Sequence, residues 1–189
     1  LEQDFITEPI VSRTDDPCLW SGDHSDLSLR QAIALAVPGS TIAFTPGFAE
    51  SSINLELGQL WFSGATGIDA SSLPAAIKLN PSPNSQLFEV FADATLSLTN
   101  LSVEGVDYQR NSAIRILGSL HLDRCQISDN ASLVTIIIAA GSLTASDCQF
   151  SDNFAQVLGV VIITADASVR FEKCSFVGNE SGRSAIVTL

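Results

Sequence analysis

The chain has 189 residues, enough for one domain, and its 21 acidic against 9 basic residues leave a net charge of −12. So acidic a composition argues against nucleic acid or an anionic membrane surface as partner, and no apolar run approaches the roughly 20 residues that a spanning helix needs. Hydrophobic residues are many, at 46%, and charged ones few, at 16%, but the apolar positions alternate or come in short runs, which favours strands.

No methionine occurs and the first residue is Leu1, so the expectation is an exported chain whose N-terminal signal has been removed. Asp4 to Arg13 reads as a strand carrying Phe5, Ile6, Ile10 and Val11, and Pro9, which lacks a ladder donor, places it on an edge or at an end. Asp15, Asp16, Asp23, His24 and Asp26 follow in an acidic loop, which is either a solvated loop or a calcium site and matches no defined calcium motif. Ser28 and Gln31 then form a capping box, and Leu29, Ala32, Ile33, Ala36 and Val37 take the one-face spacing of an amphipathic helix that Pro38-Gly39 stops. The predicted organisation is an N-terminal strand, loop and capping helix over 1–39, leading into a β-solenoid over 40–189 within one structural domain.

Between Thr41 and Val90 the predicted strands are Thr41 to Phe44, Ile53 to Leu57, Leu60 to Phe62, Ala76 to Leu79 and Phe88 to Val90, with loops rich in Pro, Ser and Gly between them. Trp61 suits a sugar platform, but its neighbours Leu60 and Phe62 place it in the core. From Leu120 the pattern becomes a repeat: LHLDRCQISDN (Leu120 to Asn130), LTASDCQFSDN (Leu143 to Asn153) and VRFEKCSFVGN (Val169 to Asn179), with a weaker copy from Leu96. Cys125, Cys148 and Cys174 recur at intervals of 23 and 26 residues. Alternating apolar slots at this period are what one coil of a parallel β-helix requires. Arg124, Asp147 and Lys173 then form an alternating charge ladder, and Asn130, Asn153 and Asn179 a turn ladder whose amides bond from rung to rung.

The segment DLSLRQAIALAVPGSTIAF, Asp26 to Phe44, resembles the N-terminal signature of secreted bacterial right-handed β-helix proteins, in which SLREAI leads into GDTIxF. Gln31 stands in place of Glu and Ser40 in place of Asp. Such proteins often carry two cysteines ahead of this run, whereas here Cys18 lies upstream and Leu27 occupies the second place, which puts a loop disulfide in doubt. FSDN at Phe150 to Asn153 and FVGN at Phe176 to Asn179 are similar to the FxxN repeats of polymorphic outer membrane proteins. Their GGAI partner survives only as Ser112-Ala113-Ile114 and Ser184-Ala185-Ile186. The resemblance implies an exported, right-handed parallel β-helix of the kind used in adhesins, autotransporter passengers and surface arrays.

Chemistry-bearing candidates are sparse. Asp129 and Asp152 fall in equivalent slots of adjacent rungs, about 5 Å apart when stacked, and serve as solvated turn residues, a calcium site, or a carboxylate pair flanking a glycosidic bond. His24 and His121 are isolated. Stacked cysteines have β-carbons too far apart for a relaxed bridge, so they read as small inward hydrophobes, with a Cys125–Cys148 or Cys148–Cys174 disulfide as the alternative. Asn100, Asn130 and Asn179 head N-glycosylation sequons. At the C-terminus Ile186, Val187 and Leu189 fall within a predicted strand that nothing caps. The expectation is therefore a non-enzymatic subunit that meets other copies head to tail, through these residues and through Phe5, Ile6, Ile10 and Val11 by strand addition, forming an extracellular filament or surface layer. The runner-up is a fragment of an adhesin passenger that binds glycans, and a polysaccharide-degrading enzyme is third.

Overall fold

The computed structural model describes residues 5–17, 25–48, 51–108, 112–183 and 186–188. Its strands form a parallel β-solenoid of about five turns with four recurring faces. Face I stacks Ser40–Phe44, Ala65–Asp69, Thr95–Thr99, Ser119–Asp123, Ser142–Ser146 and Ser168–Glu172, with the short strand Ile10–Val11 on the outer side of the first. Face II stacks Ser52–Leu55, Ile77–Pro81, Leu101–Glu104, Gln126–Ser128, Gln149–Ser151 and Ser175–Val177. Face III holds only Asp107–Tyr108, Ala131–Ser132, Phe154–Ala155 and Glu180–Ser181. Face IV returns the chain through Leu60–Phe62, Phe88–Val90, Ser112–Ile116, Thr135–Ala139, Val161–Ile163 and Ile186–Thr188.

The pairing register explains why the repeats alternate. Leu120 pairs with Leu96 on one side and Leu143 on the other, and Leu122 with Leu98 and Ala145, all of them buried. His121, between them, faces outward and is exposed, as the period of two requires. The same inward columns join Ile127 to Val103 and Phe150, and Ile114 to Phe88 and Ile137. One continuous apolar core results, running from Val11 to Val161.

The corners between faces I and II and between faces II and III each turn on one residue with a left-handed backbone. Between faces I and II it is Asn100, Arg124, Asp147 or Lys173, at φ of 57°, 52°, 53° and 51°. Between faces II and III it is Gly105, Asp129, Asp152 or Gly178, at φ of 71°, 54°, 54° and 65°. A left-handed backbone suits Gly, Asn and Asp best, which accounts for most of these choices. The corner N–H groups are not wasted: those of Arg124, Asp147 and Asp152 donate to Ser146, Glu172 and Val177 carbonyls of the next rung at 3.0, 2.9 and 3.0 Å.

The elements of the first half depart from expectation in three places. The helix spans Leu29–Leu35, with the Ser28 and Gln31 capping box formed in both directions, and stops two residues before Val37. Ala36 has already turned extended (φ −63°, ψ 131°) and bridges to Ile6, and Pro38 disfavours helical dihedrals at Val37 beyond it. Ala65–Asp69, expected as loop, is a face I strand that pairs with Ser40–Phe44 and Thr95–Thr99. The predicted strand from Ile53 ends at Leu55, and Leu57 turns out to solvent ahead of Gly58, whose φ is 85°.

Candidate functional site

The two ends of the solenoid differ. Beside the first rung, Val11, Leu27, Leu29 and Ala32 are all fully buried. At the other end Val169, Phe171, Cys174 and Phe176 are only partly buried, although each occupies the column of a sealed residue one rung earlier: Leu143, Ala145, Cys148 and Phe150. Phe176 stacks on Phe150 with centroids 4.6 Å apart and planes 5° from parallel, and Phe171 meets Phe176 edge-on at 5.2 Å. An aromatic group therefore tops the core there. Among the described residues no strand pairs beyond Ser168–Glu172 or Ser175–Val177, so these edges present backbone groups to a neighbour.

Large exposed apolar side chains follow the same polarity. Phe5, Ile10, Leu57, Trp61 and Phe91 lie towards the first rungs, and Phe154, Val157, Val177 and Ile186 towards the last. Of the expected joint residues, Phe5, Ile10 and Ile186 are thus exposed, Leu189 lies outside the described residues, and Val187 is placed in the last strand. Val11 and Ile6 are a correction. Val11 is fully buried and pairs with Phe44, while Ile6 exchanges backbone hydrogen bonds with Leu35 and Val37 at 2.8 and 3.2 Å. The N-terminal strand is paired within its own chain, and what it can offer a second copy is its outer edge.

Asparagines Asn130, Asn153 and Asn179 form the expected ladder, but on the inside. Asn130 donates its amide to Asn153 Oδ1 at 3.0 Å, and Asn153 to Asn179 Oδ1 at 2.9 Å. Each amide also reaches a face II carbonyl of the preceding rung, Val103, Ile127 and Phe150, at 3.0, 2.7 and 2.7 Å. This corrects the glycosylation candidates. Asn130 is 1% exposed, Asn179 uses both ends of its amide in the ladder, and Asn100 is a corner residue whose amide donates to Ala70 O at 2.9 Å, so the folded chain offers none of the three as an acceptor.

Asp129 and Asp152 are likewise accounted for by backbone conformation. They share their corner with Gly105 and Gly178, so the slot selects residues that tolerate a left-handed backbone rather than carboxylates. Among the described residues no group of three or more His, Cys, Asp or Glu side chains is placed to hold a metal ion. The acidic loop is neutralised by arginines: Arg13 pairs with Asp15 at 2.6 Å and Asp26 at 3.4 Å, and its hydrogen bond holds the Asp15 carboxyl below the usual range. Arg30 grips buried Asp16 with two hydrogen bonds, of 2.7 and 2.8 Å, and also donates to the carbonyls of Gly58 and Gln59. Asp23, His24 and Cys18 lie outside the described residues.

Cys125, Cys148 and Cys174 are free thiols stacked in one column. The Cys148 sulfur accepts the Cys125 backbone N–H at 3.4 Å, and the thiols of Cys125 and Cys174 donate to the carbonyls of Leu98 and Ala145 at 3.4 and 3.3 Å. The Cys125 thiol and burial push the Cys148 thiol up, and burial pushes up that of Cys174. In the charge ladder Lys173 reaches Asp147 at 3.8 Å, whereas Arg124 turns back to Asp123 in its own rung at 2.9 Å.

Trp61 is the other correction. It is 60% exposed, while Leu60 and Phe62 on either side are buried, because a strand sends alternate residues to opposite faces. No protein-family model, curated protein or solved structure matches this chain.

Proposed function

We propose that this chain is a non-enzymatic, exported structural protein: a right-handed parallel β-helix, covered at its first rung by the helix Leu29–Leu35, that stacks end to end with further copies into an extracellular filament or surface layer. The reading is favoured by four core columns, sealed at Leu143, Ala145, Cys148 and Phe150 and only partly buried one rung later, which a rung supplied by a second copy completes, as following residues of a longer chain do in the passenger reading. Completing the burial of four such side chains contributes roughly 1 kcal/mol each, and pairing the last edges satisfies their backbone groups. A head-to-tail contact that does not close into a ring grows into a filament. The right hand follows from the strong preference of parallel strand crossovers, and the SLRQAI segment resembles the entry to exported β-helices. That Asp129 and Asp152 share their slots with glycine favours a structural rather than a catalytic reading.

Electron microscopy of the concentrated protein tests it. Filaments one solenoid wide are expected, and a Val169→Lys/Phe176→Glu double substitution at the open rung is expected to disperse them while far-UV circular dichroism keeps its β signature. Dispersed monomers of the unsubstituted chain at high concentration refute end-to-end assembly.

A further inference from the structure

One outward residue from each of the first three face IV strands stands beside the next on the outside of the sheet: Trp61 pairs in register with Glu89, and Glu89 with Arg115. The indole of Trp61 is held out because Leu60 and Phe62 anchor its strand in the core. Glu89 is gripped at both oxygens, Oε2 accepting from Gln59 Nε2 at 3.2 Å and Oε1 from Arg115 Nη1 at 3.0 Å. An exposed indole thus adjoins a fixed row of amide, carboxylate and guanidinium that lies across the strands.

We propose that Trp61, Gln59, Glu89 and Arg115 form a binding site for neutral carbohydrate chains. A sugar ring has an apolar C–H face that stacks on an indole and a rim of hydroxyls that both donate and accept. The row matches that rim: a carboxylate only accepts, a guanidinium only donates, and an amide does both. A carboxylate has about four acceptor sites and a guanidinium five N–H donors, so the Gln59–Glu89–Arg115 bonds leave capacity for ligand. Because Glu89 and Arg115 neutralise each other, a charged sugar meets a like charge as well as an unlike one, and a neutral sugar is favoured. Successive strands are about 4.8 Å apart, so Trp61 to Arg115 spans about the length of a disaccharide. A large apolar platform with a few fixed polar groups is the ordinary composition of a small-molecule site. The site lies on the side of the solenoid, so it stands or falls independently of end-to-end assembly.

Titration calorimetry of the full chain against cello-, xylo-, manno- and chitohexaose tests the assignment. Saturable binding of at least one hexasaccharide is expected. Trp61→Ala is expected to weaken it at least about tenfold, Glu89→Gln to weaken it also, and Phe91→Ala, an exposed apolar residue outside the row, to leave it unchanged. Circular dichroism confirms that the variants are folded. Absence of saturable binding to all four sugars at about 10 mM, or binding that Trp61→Ala leaves intact, overturns the proposal. So does a Trp61→Ala chain that loses assembly but not sugar binding, since that outcome makes Trp61 a joint residue.

Discussion

Asn153 offers the most direct test of what holds one rung to the next. Its amide nitrogen donates to Ile127 O at 2.7 Å and to Asn179 Oδ1 at 2.9 Å, and its Oδ1 accepts from the Asn130 backbone at 3.2 Å and from the Asn130 amide at 3.0 Å. In Asn153→Ala the Asn130 amide keeps Val103 O, Asn179 Oδ1 keeps the Asn153 backbone N–H, and Ile127 C=O stays in the parallel ladder to Gln149–Ser151, so the main-chain group that loses its acceptor is Asn130 N–H. An unsatisfied buried polar group costs about 1–3 kcal/mol, so the expected loss is about 2 kcal/mol. Urea unfolding followed by far-UV circular dichroism measures it, with Gln149→Ala, on the outward side of the same rung, as a control expected near zero. A loss below about 1 kcal/mol, or one equal to the control, refutes the ladder as a stabilising element. Asn153→Asp adds a pH signature. A carboxylate in this slot faces two acceptors and is buried, so its folded pKa rises above its unfolded value. The penalty is then present above the unfolded pKa and relieved as pH falls, and the variant should be closer to the parent at pH 4 than at pH 7.

Three further outcomes follow from the same geometry. Arg30→Ala leaves the Asp16 carboxylate buried with, among the described residues, the Leu57 N–H as donor, and is expected to cost about 3–5 kcal/mol in the same unfolding assay. Gly178→Ala places a β-carbon against the Asp152 carboxylate at a left-handed corner and is expected to cost more than about 1 kcal/mol. Part of that loss should return in an Asp152→Gly background, and additive losses would show that the two corners do not touch. A thiol-alkylating reagent at pH 8 should label Cys174 before Cys148, since both thiols are pushed up but only Cys174 is open to solvent, and equal rates would contradict the sealed column.

Much of this was legible in sequence because a solenoid writes three-dimensional neighbours at a fixed interval. Leu120, Leu143 and Val169 announce their stacking through the repeat alone, and Ser28 with Gln31 announces the helix start because both partners are local. The asparagine ladder was legible as a ladder but not in its direction, because a turn asparagine facing solvent and one facing the core have the same letters. For Asp129 and Asp152 the signal was present and points the other way: glycine in the same slot at Gly105 and Gly178 marks a backbone requirement. Trp61 shows alternation outranking hydrophobicity, since two buried neighbours force the residue between them outward. Long-range ties left no mark, which is why the grip of Arg30 on Asp16 and on the carbonyls of Gly58 and Gln59 was not foreseen, nor the pairing of Ile10–Val11 with Ala43 and Phe44.

A stack of this kind is stabilised almost entirely by contacts between nearest neighbours, so a rung with a neighbour on one side only should open first. Ser168–Glu172 and Ser175–Val177 have strands on one side, and Asn179 receives the ladder from Asn153 while its own amide donates back to Phe150 O at 2.7 Å. Thr95–Thr99 and Ser119–Asp123 are flanked on both sides and close over fully buried Leu96 and Leu120. Backbone amide exchange in the dispersed protein is therefore expected to be slowest through these central strands and fastest in the last rung. Under conditions that give end-to-end assembly, protection of Ser168–Val177 should rise towards that of the rung before it, while the central strands stay unchanged. Uniform protection along the dispersed chain would mean that the half-open columns carry no penalty, and the physical case for stacking copies on that end would fail with it.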